Sequence, residues 1–227
     1  MAQLRSLLVI LVALIPFSLL AQHHTIMDES IRTLQVKVND DRTLPPVISL
    51  GSRSVLNIDW DQLSHTYHRY TYTLQHCDKM WEPSEELFES DWLSGVNGLP
   101  IEDYRTSFNT SQLYTHYHLS IPNKDVKPRL SGNYKLEIKE DDECVLEVQF
   151  CVVDKVMPIS VSCSSNTDID FQKDHQQLSV NVNYNGVRVI DVDEQLYMRV
   201  IQNRHWDERV EGIYPNIRKA TGIEFSH

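Results

Sequence analysis

The chain has 227 residues, four cysteines and a formal net charge of −11. That length suffices for one or two domains with a substantial core. The acidic balance makes nucleic acid and anionic lipid surfaces poor partners, since both repel a negatively charged protein.

Residues 1–21 have the features of a secretory signal peptide. Arg5 gives a positive start, an apolar run extends from Leu7 to Leu20, and Ala21 offers a small residue for cleavage. The run is short for a membrane span, although an uncleaved N-terminal anchor is the alternative. No cysteine follows it closely, so a lipoprotein modification is not expected there. No later segment is apolar enough to cross a membrane, and the sequence therefore predicts an exported chain.

The chain that follows alternates between apolar and polar residues in short segments. This period of two residues is typical of half-buried strands. Repeated short strands of this kind predict an all-β fold, an antiparallel β-sandwich of the immunoglobulin or fibronectin type III type. The residues predicted to face inward are Leu34, Val36, Val38, Leu56, Ile58, Trp60, Tyr70, Tyr72, Leu74, Tyr117, Leu119, Ile121, Tyr134, Leu136, Ile138, Leu146, Val148, Phe150 and Val152.

A long connection from Asp78 to Leu113 interrupts these strands. It contains one helix candidate, Pro83–Phe88, with Ser84 as the N-terminal cap. It also carries four aromatic residues, which suggests that the connection packs against another surface. Two interpretations stay open. The connection either closes one end of the sandwich or forms a rigid aromatic surface for a protein partner. The four aromatic residues are Trp81, Trp92, Tyr104 and Phe108.

Val156-Met157-Pro158 marks a domain boundary in the sequence. We expect a first β-sandwich domain at residues 22–155 and a partial second β domain at residues 156–227. Asn185-Gly186 predicts a two-residue hairpin in the second domain. Residues 156–227 are a short segment for an independent sandwich. We therefore expect the second domain to be incomplete or the chain to be a fragment. The strands predicted there are Ile159–Cys163, Leu178–Asn183, Val187–Val192 and Leu196–Gln202.

The four cysteines are Cys77, Cys144, Cys151 and Cys163. In an exported chain they permit disulfides in any of three pairings. Cys144 and Cys151 are seven residues apart in one predicted strand, so we expect them on opposite faces and unable to pair. We expect mostly buried free thiols, with room for one disulfide. No CxxC motif is present, which argues against thiol redox chemistry.

Three polar groups could in principle bind a metal. His116 and His118 lie at i and i+2 on the polar face of one strand, a spacing that two metal ligands can share. Nothing in the sequence nominates further ligands, so we expect a solvated strand face. Asp59 and Asp61 are also two residues apart. The acidic cluster Glu140–Glu143 lacks the pattern of a calcium loop and predicts a solvated turn.

No nucleophile signature stands out. His76-Cys77-Asp78 places three reactive residue types side by side, but neighbours along a strand point to opposite faces and cannot form a triad alone. Asn109-Thr110-Ser111 is a formal glycosylation sequon and carries little weight. The sequence therefore predicts no catalytic residue, no metal site and no cofactor.

The residue identities in the stretch from Tyr67 to Lys139 say more about function than its alternation of apolar and polar residues does. The strings YTLQHCDKMWEPS, IEDYRTSFNT, YTHYHLSIPN and SGNYKLEIKEDD resemble the N-terminal domain of the type IX secretion system plug protein family, once a family of unknown function in Bacteroidota. The resemblance covers residues 30–155 well and continues more weakly through Gln202–Gly212. The matching residues are Tyr72, Leu74, Gln75, His76, Cys77, Asp78, Trp81, Ser84, Gly95, Asp103, Tyr104, Ser107, Phe108, Asn109, Thr110, Tyr114, Thr115, Tyr117, Pro122, Asn123, Ser131, Gly132 and Tyr134.

The resemblance implies an exported, non-enzymatic β-sandwich protein that is longer than this chain. It also implies a periplasmic location at the outer membrane, where members associate with the translocon β-barrel and block its pore between transport events. It implies no small-molecule substrate. The residues expected to frame a docking surface are Gln75, His76, Cys77, Asp78, Trp81, Asp103, Tyr104, Phe108, Asn109, Tyr114, Gly132 and Tyr134.

Two other functions stay open on the residues alone. A carbohydrate-binding or adhesion module is the alternative, because aromatic side chains such as Trp81 and Trp92 stack on sugars as well as on proteins. A hydrolase with unrecognised chemistry would rest on His116 and His118.

Overall fold

The structure, a computed structural model, describes residues 24–167, 176–202 and 209–226. The predicted signal peptide at residues 1–21 and most of the stretch Gln202–Gly212 lie outside the described residues. No helix within the described ranges is long and apolar enough to span a membrane.

The N-terminal part of the chain, from His24 to Val153, consists almost entirely of strands. In chain order its elements are β1 (His24–Ile26), β2 (Ile31–Val38), β3 (Val47–Ser49), β4 (Leu56–Gln62), β5 (Tyr70–Cys77), α1 (Glu89–Trp92), β6 (Leu93–Gly95), β7 (Leu99–Pro100), β8 (Tyr104–Thr106), β9 (Thr115–Ile121), β10 (Val126–Pro128), β11 (Gly132–Glu140) and β12 (Glu143–Val153).

These strands form two main sheets. The first has the order β1-β12-β11-β5-β7, with β3 added in parallel to β12, and the second has the order β2-β4-β9-β8. A short pair, β6 with β10, lies apart from both. The predicted all-β sandwich is confirmed, since apart from β3 the recorded pairings are antiparallel.

Side chains from both sheets meet in one core. Trp60 and Tyr117 from the second sheet and Tyr134 and Phe150 from the first are all fully buried. The alternation in the sequence identifies these residues correctly, because successive residues of a strand point to opposite sides of its sheet. Burial of such large side chains contributes about 2 kcal/mol or more each.

The predicted helix at Pro83–Phe88 is wrong. The structure places a single helical turn later, at Glu89–Trp92, and uses Pro83 in an isolated bridge with Cys77. The hydroxyl group of Ser84 lies 2.8 Å from Nδ1 of His76. That hydrogen bond occupies the side chain that the sequence predicts as a helix cap.

A bulge in β12 changes which way Cys144 points. Ile138 pairs with Leu146 but Lys139 pairs with Cys144, so Val145 is an extra residue in the strand. One extra residue reverses the alternation. Cys144 and Cys151 therefore both lie half-buried on the outer face of the sheet, and the expectation of opposite faces was wrong. All four cysteines are free thiols, with Cys77 buried and Cys163 exposed.

The C-terminal part of the chain has a separate small core around Val180, Ile223 and Phe225. Its main sheet has the order β13-β14-β18-β17, and β15 pairs with β16. Its elements are β13 (Ile159–Ser164), β14 (Gln177–Asn183), α2 (Val192–Gln195), β15 (Arg199–Ile201), β16 (Arg209–Glu211), β17 (Ile217–Lys219) and β18 (Gly222–Ser226).

Asn185-Gly186 forms a turn but not the predicted hairpin. The N–H of Val187 donates to the carbonyl oxygen of Tyr184 at 3.0 Å, and no strand follows at Val187–Val192. The chain instead enters α2, whose start is fixed by the Asp191 side chain accepting two backbone N–H groups. A capping carboxylate favours a helical turn over a return strand at this point.

Candidate functional site

The residues predicted to frame a docking surface separate into two places. Gln75–Asp78, Trp81, Gly132 and Tyr134 lie where β5 ends and β11 begins. Residues Asp103 to Tyr114 comprise the end of the segment that follows β7, strand β8, and the loop that leads into β9. The first group is mostly buried or half-buried and the second is mostly exposed.

The first group is a packed junction around the His76 ring. Nδ1 of His76 lies 2.8 Å from the Ser84 hydroxyl, and Nε2 lies 3.3 Å from the carbonyl oxygen of Ser131. The ring packs edge-on against Tyr134 at 5.1 Å between centroids. The Tyr134 hydroxyl in turn donates to the carbonyl oxygen of Leu130 at 2.7 Å. These contacts fasten the long connection and the entry to β11 onto the core.

Asp78 organises the tight turn beside this junction. Its Oδ1 accepts the N–H groups of Met80 at 2.8 Å and Glu82 at 2.9 Å. Trp81 takes a left-handed backbone conformation with φ +67°. Asn133 donates from its side chain to the carbonyl oxygen of Asp78 at 2.7 Å. The turn is therefore held by its own side chain, as Asp does in many loops.

Cys77 does not serve as a nucleophile in this arrangement. Burial raises the pKa of its thiol to about 11, so the thiol stays protonated at neutral pH. The His76 ring is occupied by the core contacts above, and Gln75 donates only a long 3.4 Å bond to a neighbouring carbonyl oxygen. The junction is a structural frame.

The second group exposes apolar rings to solvent. We call Tyr67, Tyr104, Phe108 and Leu113 the aromatic patch. All four are exposed, and Phe108, near the start of the loop between β8 and β9, is 92% exposed. Tyr67 and Tyr104 are in ring contact at 4.8 Å between centroids, and Phe108 and Leu113 belong to one loop. Clustered exposed apolar side chains mark interaction surfaces more often than single ones do.

The loop that carries Phe108 is held by local hydrogen bonds. The N–H of Ser107 donates to the carbonyl oxygen of Tyr114 at 2.8 Å, and the N–H of Tyr114 donates to the Ser107 hydroxyl at 3.0 Å. Asn109 supplies the left-handed residue with φ +57°. His65, from the neighbouring loop, bonds to the carbonyl oxygen of Ser107 at 2.9 Å. These hydrogen bonds hold the base of the loop, next to Phe108.

A series of ring contacts connects the two tyrosines of the patch to the core. Tyr67 contacts Tyr104 at 4.8 Å between centroids, and Tyr104 contacts Tyr117 at 5.8 Å. Tyr117 stacks on Trp60 at 5.4 Å. Nearby, the N–H of His118 donates to the carbonyl oxygen of Asp103 at 3.0 Å. A surface built on buried rings loses little conformational entropy on binding.

The outer face of the second sheet carries a network that the sequence alone does not assemble, which we call the His–Asp ladder. Nδ1 of His116 lies 2.7 Å from Asp61, and Nδ1 of His118 lies 2.7 Å from Asp59. Lys37 lies 2.7 Å from the other oxygen of Asp59. The register of β4 with β9 produces these contacts by placing Asp59 opposite His118 and Asp61 opposite His116.

A chain of polar groups extends from His118. The amide nitrogen of Asn57 donates to Asp40 at 2.9 Å. The amide oxygen of Asn57 therefore faces Ser120 and accepts a hydrogen bond from its hydroxyl group at 2.8 Å. The hydroxyl oxygen of Ser120 lies 2.9 Å from Nε2 of His118 and can accept a hydrogen bond from it. The two histidines are thus engaged within the face, and no group of three or more metal-binding side chains is found among the described residues.

A comparison with known families identifies the domain that carries these residues. The sequence model of the family "Type 9 secretion system plug protein 1st domain" matches residues 31–154. The chain belongs to this family. Both groups of frame residues, the aromatic patch and the His–Asp ladder lie inside the matched plug domain.

The plug-family chain also resembles a solved structure. A hypothetical protein from Parabacteroides merdae is 32% identical to it and superposes with a TM-score of 0.84. That match covers 91% of this chain and 53% of the other, so the present chain spans about half the length of its solved relative. No curated protein matches the chain in sequence.

Replacing Asp59 tests the ladder of this plug domain. Burial alone would raise the pKa of Asp59, but the hydrogen bonds from Lys37 and His118 outweigh burial and hold that pKa below its ordinary value. Asp59→Asn should lower the free energy of unfolding at pH 7 by about 2 kcal/mol, because it weakens a charge-assisted bond on a nearly buried group. Urea unfolding measures the loss.

The pH dependence has a definite sign. A carboxyl group with a lowered folded-state pKa stabilises the fold above its unfolded pKa of about 3.9 and loses that stabilisation as pH falls further. The difference between wild type and Asp59→Asn should therefore persist down to about pH 4 and shrink below it. Asp103→Asn, which removes one charge from an exposed carboxyl group, is the control and should change stability little. Equal losses in the two variants would contradict the role given to Asp59.

Proposed function

We propose that this protein is a non-enzymatic plug subunit that seals the outer-membrane translocon barrel of the type IX secretion system through protein–protein contacts. In this proposal residues 1–21 direct export, and the mature chain works in the periplasm, peripherally associated with the outer membrane through the barrel. The observation that carries the proposal is the family match together with an exposed aromatic surface inside the matched domain.

The aromatic patch is the proposed docking surface. Aromatic side chains with few rotatable bonds contribute much of the binding energy in protein interfaces. Phe108 follows Ser107, whose hydrogen bonds with Tyr114 and His65 already hold the base of the loop, so less ordering is left for binding. In this proposal the buried frame residues do not meet the partner themselves.

The chemistry of the polar residues supports a binding role over an enzymatic one. The histidines and aspartates of the ladder are paired with one another, and the Cys77 thiol is protonated at neutral pH. Acid–base or nucleophilic catalysis needs such groups aimed at a substrate.

Co-purification tests the proposal. The chain, tagged at its C-terminus and produced in a bacterium that carries a type IX system, should recover the translocon barrel from detergent-solubilised outer membranes. A Phe108→Ser chain purified in parallel should recover much less barrel. Recovery of no barrel by a soluble, folded wild-type chain would argue strongly against the plug function.

A carbohydrate-binding or adhesion module is the second candidate, favoured by the exposed rings of Tyr67 and Tyr104. One of its original supports is removed, since Trp92 is 4% exposed and lies in the core. Glycan-array binding that disappears with Tyr104→Ala would favour this function. Absence of binding across the array would exclude the glycans tested and leave the protein partner.

A further inference from the structure

Within the described ranges, the N-terminal and C-terminal parts of the chain have separate hydrophobic cores. The connection from the end of β12 to the start of β13 is short, residues 154–158, and most of it is exposed. Domains that are joined only by such a linker are expected to move relative to one another. A fixed orientation of the two parts therefore requires contacts between their surfaces.

The solved relative indicates that the orientation is fixed. The matched plug domain, residues 31–154, is little more than half of the chain. The superposition on the Parabacteroides merdae structure covers 91% of the chain with a TM-score of 0.84, so it includes most of the C-terminal part. A different orientation would misplace one of the two parts and lower that score. The two parts therefore have a similar arrangement in both proteins.

Contacts between the two parts meet at the ring of Tyr197, just before β15. Nζ of Lys79, in the turn that follows β5, lies over that ring at 5.1 Å from its centroid. The guanidinium group of Arg199 lies over the same ring at 5.7 Å, and it also makes a long hydrogen bond of 3.5 Å to the carbonyl oxygen of Lys79. We call Lys79, Tyr197 and Arg199 the tyrosine clamp. The face of an aromatic ring attracts cations, so one tyrosine can hold positively charged residues from both parts.

The turn that carries Lys79 is fixed on the plug domain. The carboxylate of Asp78 accepts two N–H groups of this turn, and the side chain of Asn133 on β11 donates to the carbonyl oxygen of Asp78 at 2.7 Å. The side-chain oxygen of Asn133 in turn accepts a hydrogen bond from the thiol of Cys151 on β12 at 3.3 Å. The backbone at Lys79 is thus tied to the first sheet, which makes it a firm anchor for the clamp.

Arg199 extends from the C-terminal part to the outer face of the first sheet, beside Cys151. Burial raises the pKa of the Cys151 thiol to about 11, and the nearby Arg199 guanidinium opposes part of that rise. Arg199 is itself half-buried. Arginine side chains are mostly exposed in folded proteins unless they are paired. The position of Arg199 therefore supports an interface that is formed in the folded chain.

We propose that the turn at residues 78–82 is an internal docking site for the C-terminal part, and that the tyrosine clamp holds the two parts as one rigid body. This gives the turn, which lies among the residues expected to frame a docking surface, a partner within the same chain. The aromatic patch is then presented in a fixed position relative to the C-terminal part. The inference does not depend on the proposed plug function, because it concerns contacts inside one chain.

Native-state hydrogen exchange in the full 227-residue chain tests the clamp. Docking adds to the free energy needed to open the C-terminal part, so loss of a clamp contact should speed exchange at the protected amides of β14 and β18. Lys79→Met, a substitution in the plug domain, should speed that exchange about threefold, because one cation–π contact is lost. Tyr197→Ala loses both contacts and should speed it about tenfold.

Matched substitutions separate the clamp from general effects. Lys124→Met removes the same charge from an exposed lysine of the plug domain and should leave exchange in the C-terminal part unchanged. Tyr214→Ala removes a tyrosine that is 71% exposed in the C-terminal part and should also leave it unchanged. Tyr197→Phe keeps an aromatic ring over which both cations can lie, so it should behave like the wild type.

Residual dipolar couplings in a weakly aligning medium report the orientation directly. Couplings from both parts of the wild-type chain should fit one alignment tensor, as they do for a single rigid body. The proposal would be overturned if the wild-type parts needed two different tensors. It would equally be overturned if exchange in the C-terminal part were as slow in Lys79→Met as in Lys124→Met.

Discussion

Under the proposed plug function, Phe108→Ser should weaken binding of the chain to the translocon barrel by about 30-fold while leaving its melting temperature unchanged. A central aromatic anchor typically contributes about 2 kcal/mol to an interface, which corresponds to that factor. Phe108 is 92% exposed, so its removal costs the isolated fold almost nothing. Binding of purified chain to barrel in nanodiscs, followed by biolayer interferometry, measures the change.

Phe88→Ser is the matched control. Phe88 is 79% exposed but precedes α1, outside the aromatic patch. The same substitution there removes as much exposed apolar surface and should change affinity less than about twofold. Equal losses from both variants would mean that general hydrophobicity, and not the patch, drives binding.

Gly132→Ala should lower the free energy of unfolding by about 3 kcal/mol and the melting temperature by about 6–12 °C. Gly132 has φ +153°, which disfavours any side chain, and a Cβ atom there would lie 2.3 Å from Nε2 of His76. The His76 ring is wedged between Ser84 and Tyr134 and has little room to move. The substitution therefore strains the backbone and breaks the junction together.

Gly98→Ala separates the two causes of this loss. Gly98 also has a left-handed backbone, φ +81°, but a Cβ atom there would meet nothing within 4 Å. It should cost only the backbone term, about 1 kcal/mol. Thermal unfolding of both variants by circular dichroism gives the comparison. If Gly132→Ala proved no more harmful than Gly98→Ala, the contact with His76 would not limit the site.

The sandwich itself is predictable from the sequence because its strands repeat a strict period of two. Leu56, Ile58 and Trp60 are all buried, as that period requires. The alternation fails at Val145, where one inserted residue reverses the direction of Cys144. A bulge leaves no local signal in the letters, since it depends on the partner strand.

The candidate site was only partly predictable. Its residues could be named from the family resemblance, but their division into a buried junction and an exposed patch depends on tertiary packing. Phe108 and Trp92 both follow polar residues in the same long connection, yet in the structure Phe108 is exposed and Trp92 is buried. The His–Asp ladder was missed because Asp59 and His118 are far apart in the chain, and only the pairing of β4 with β9 makes them neighbours.

Conductance of the purified translocon barrel in a planar bilayer tests the central proposal most directly. Addition of the wild-type chain to the periplasmic side should close the open conductance in a dose-dependent way, and Phe108→Ser should require about 30-fold more protein for the same closure. A conductance that stays open under saturating wild-type chain would contradict the plug function.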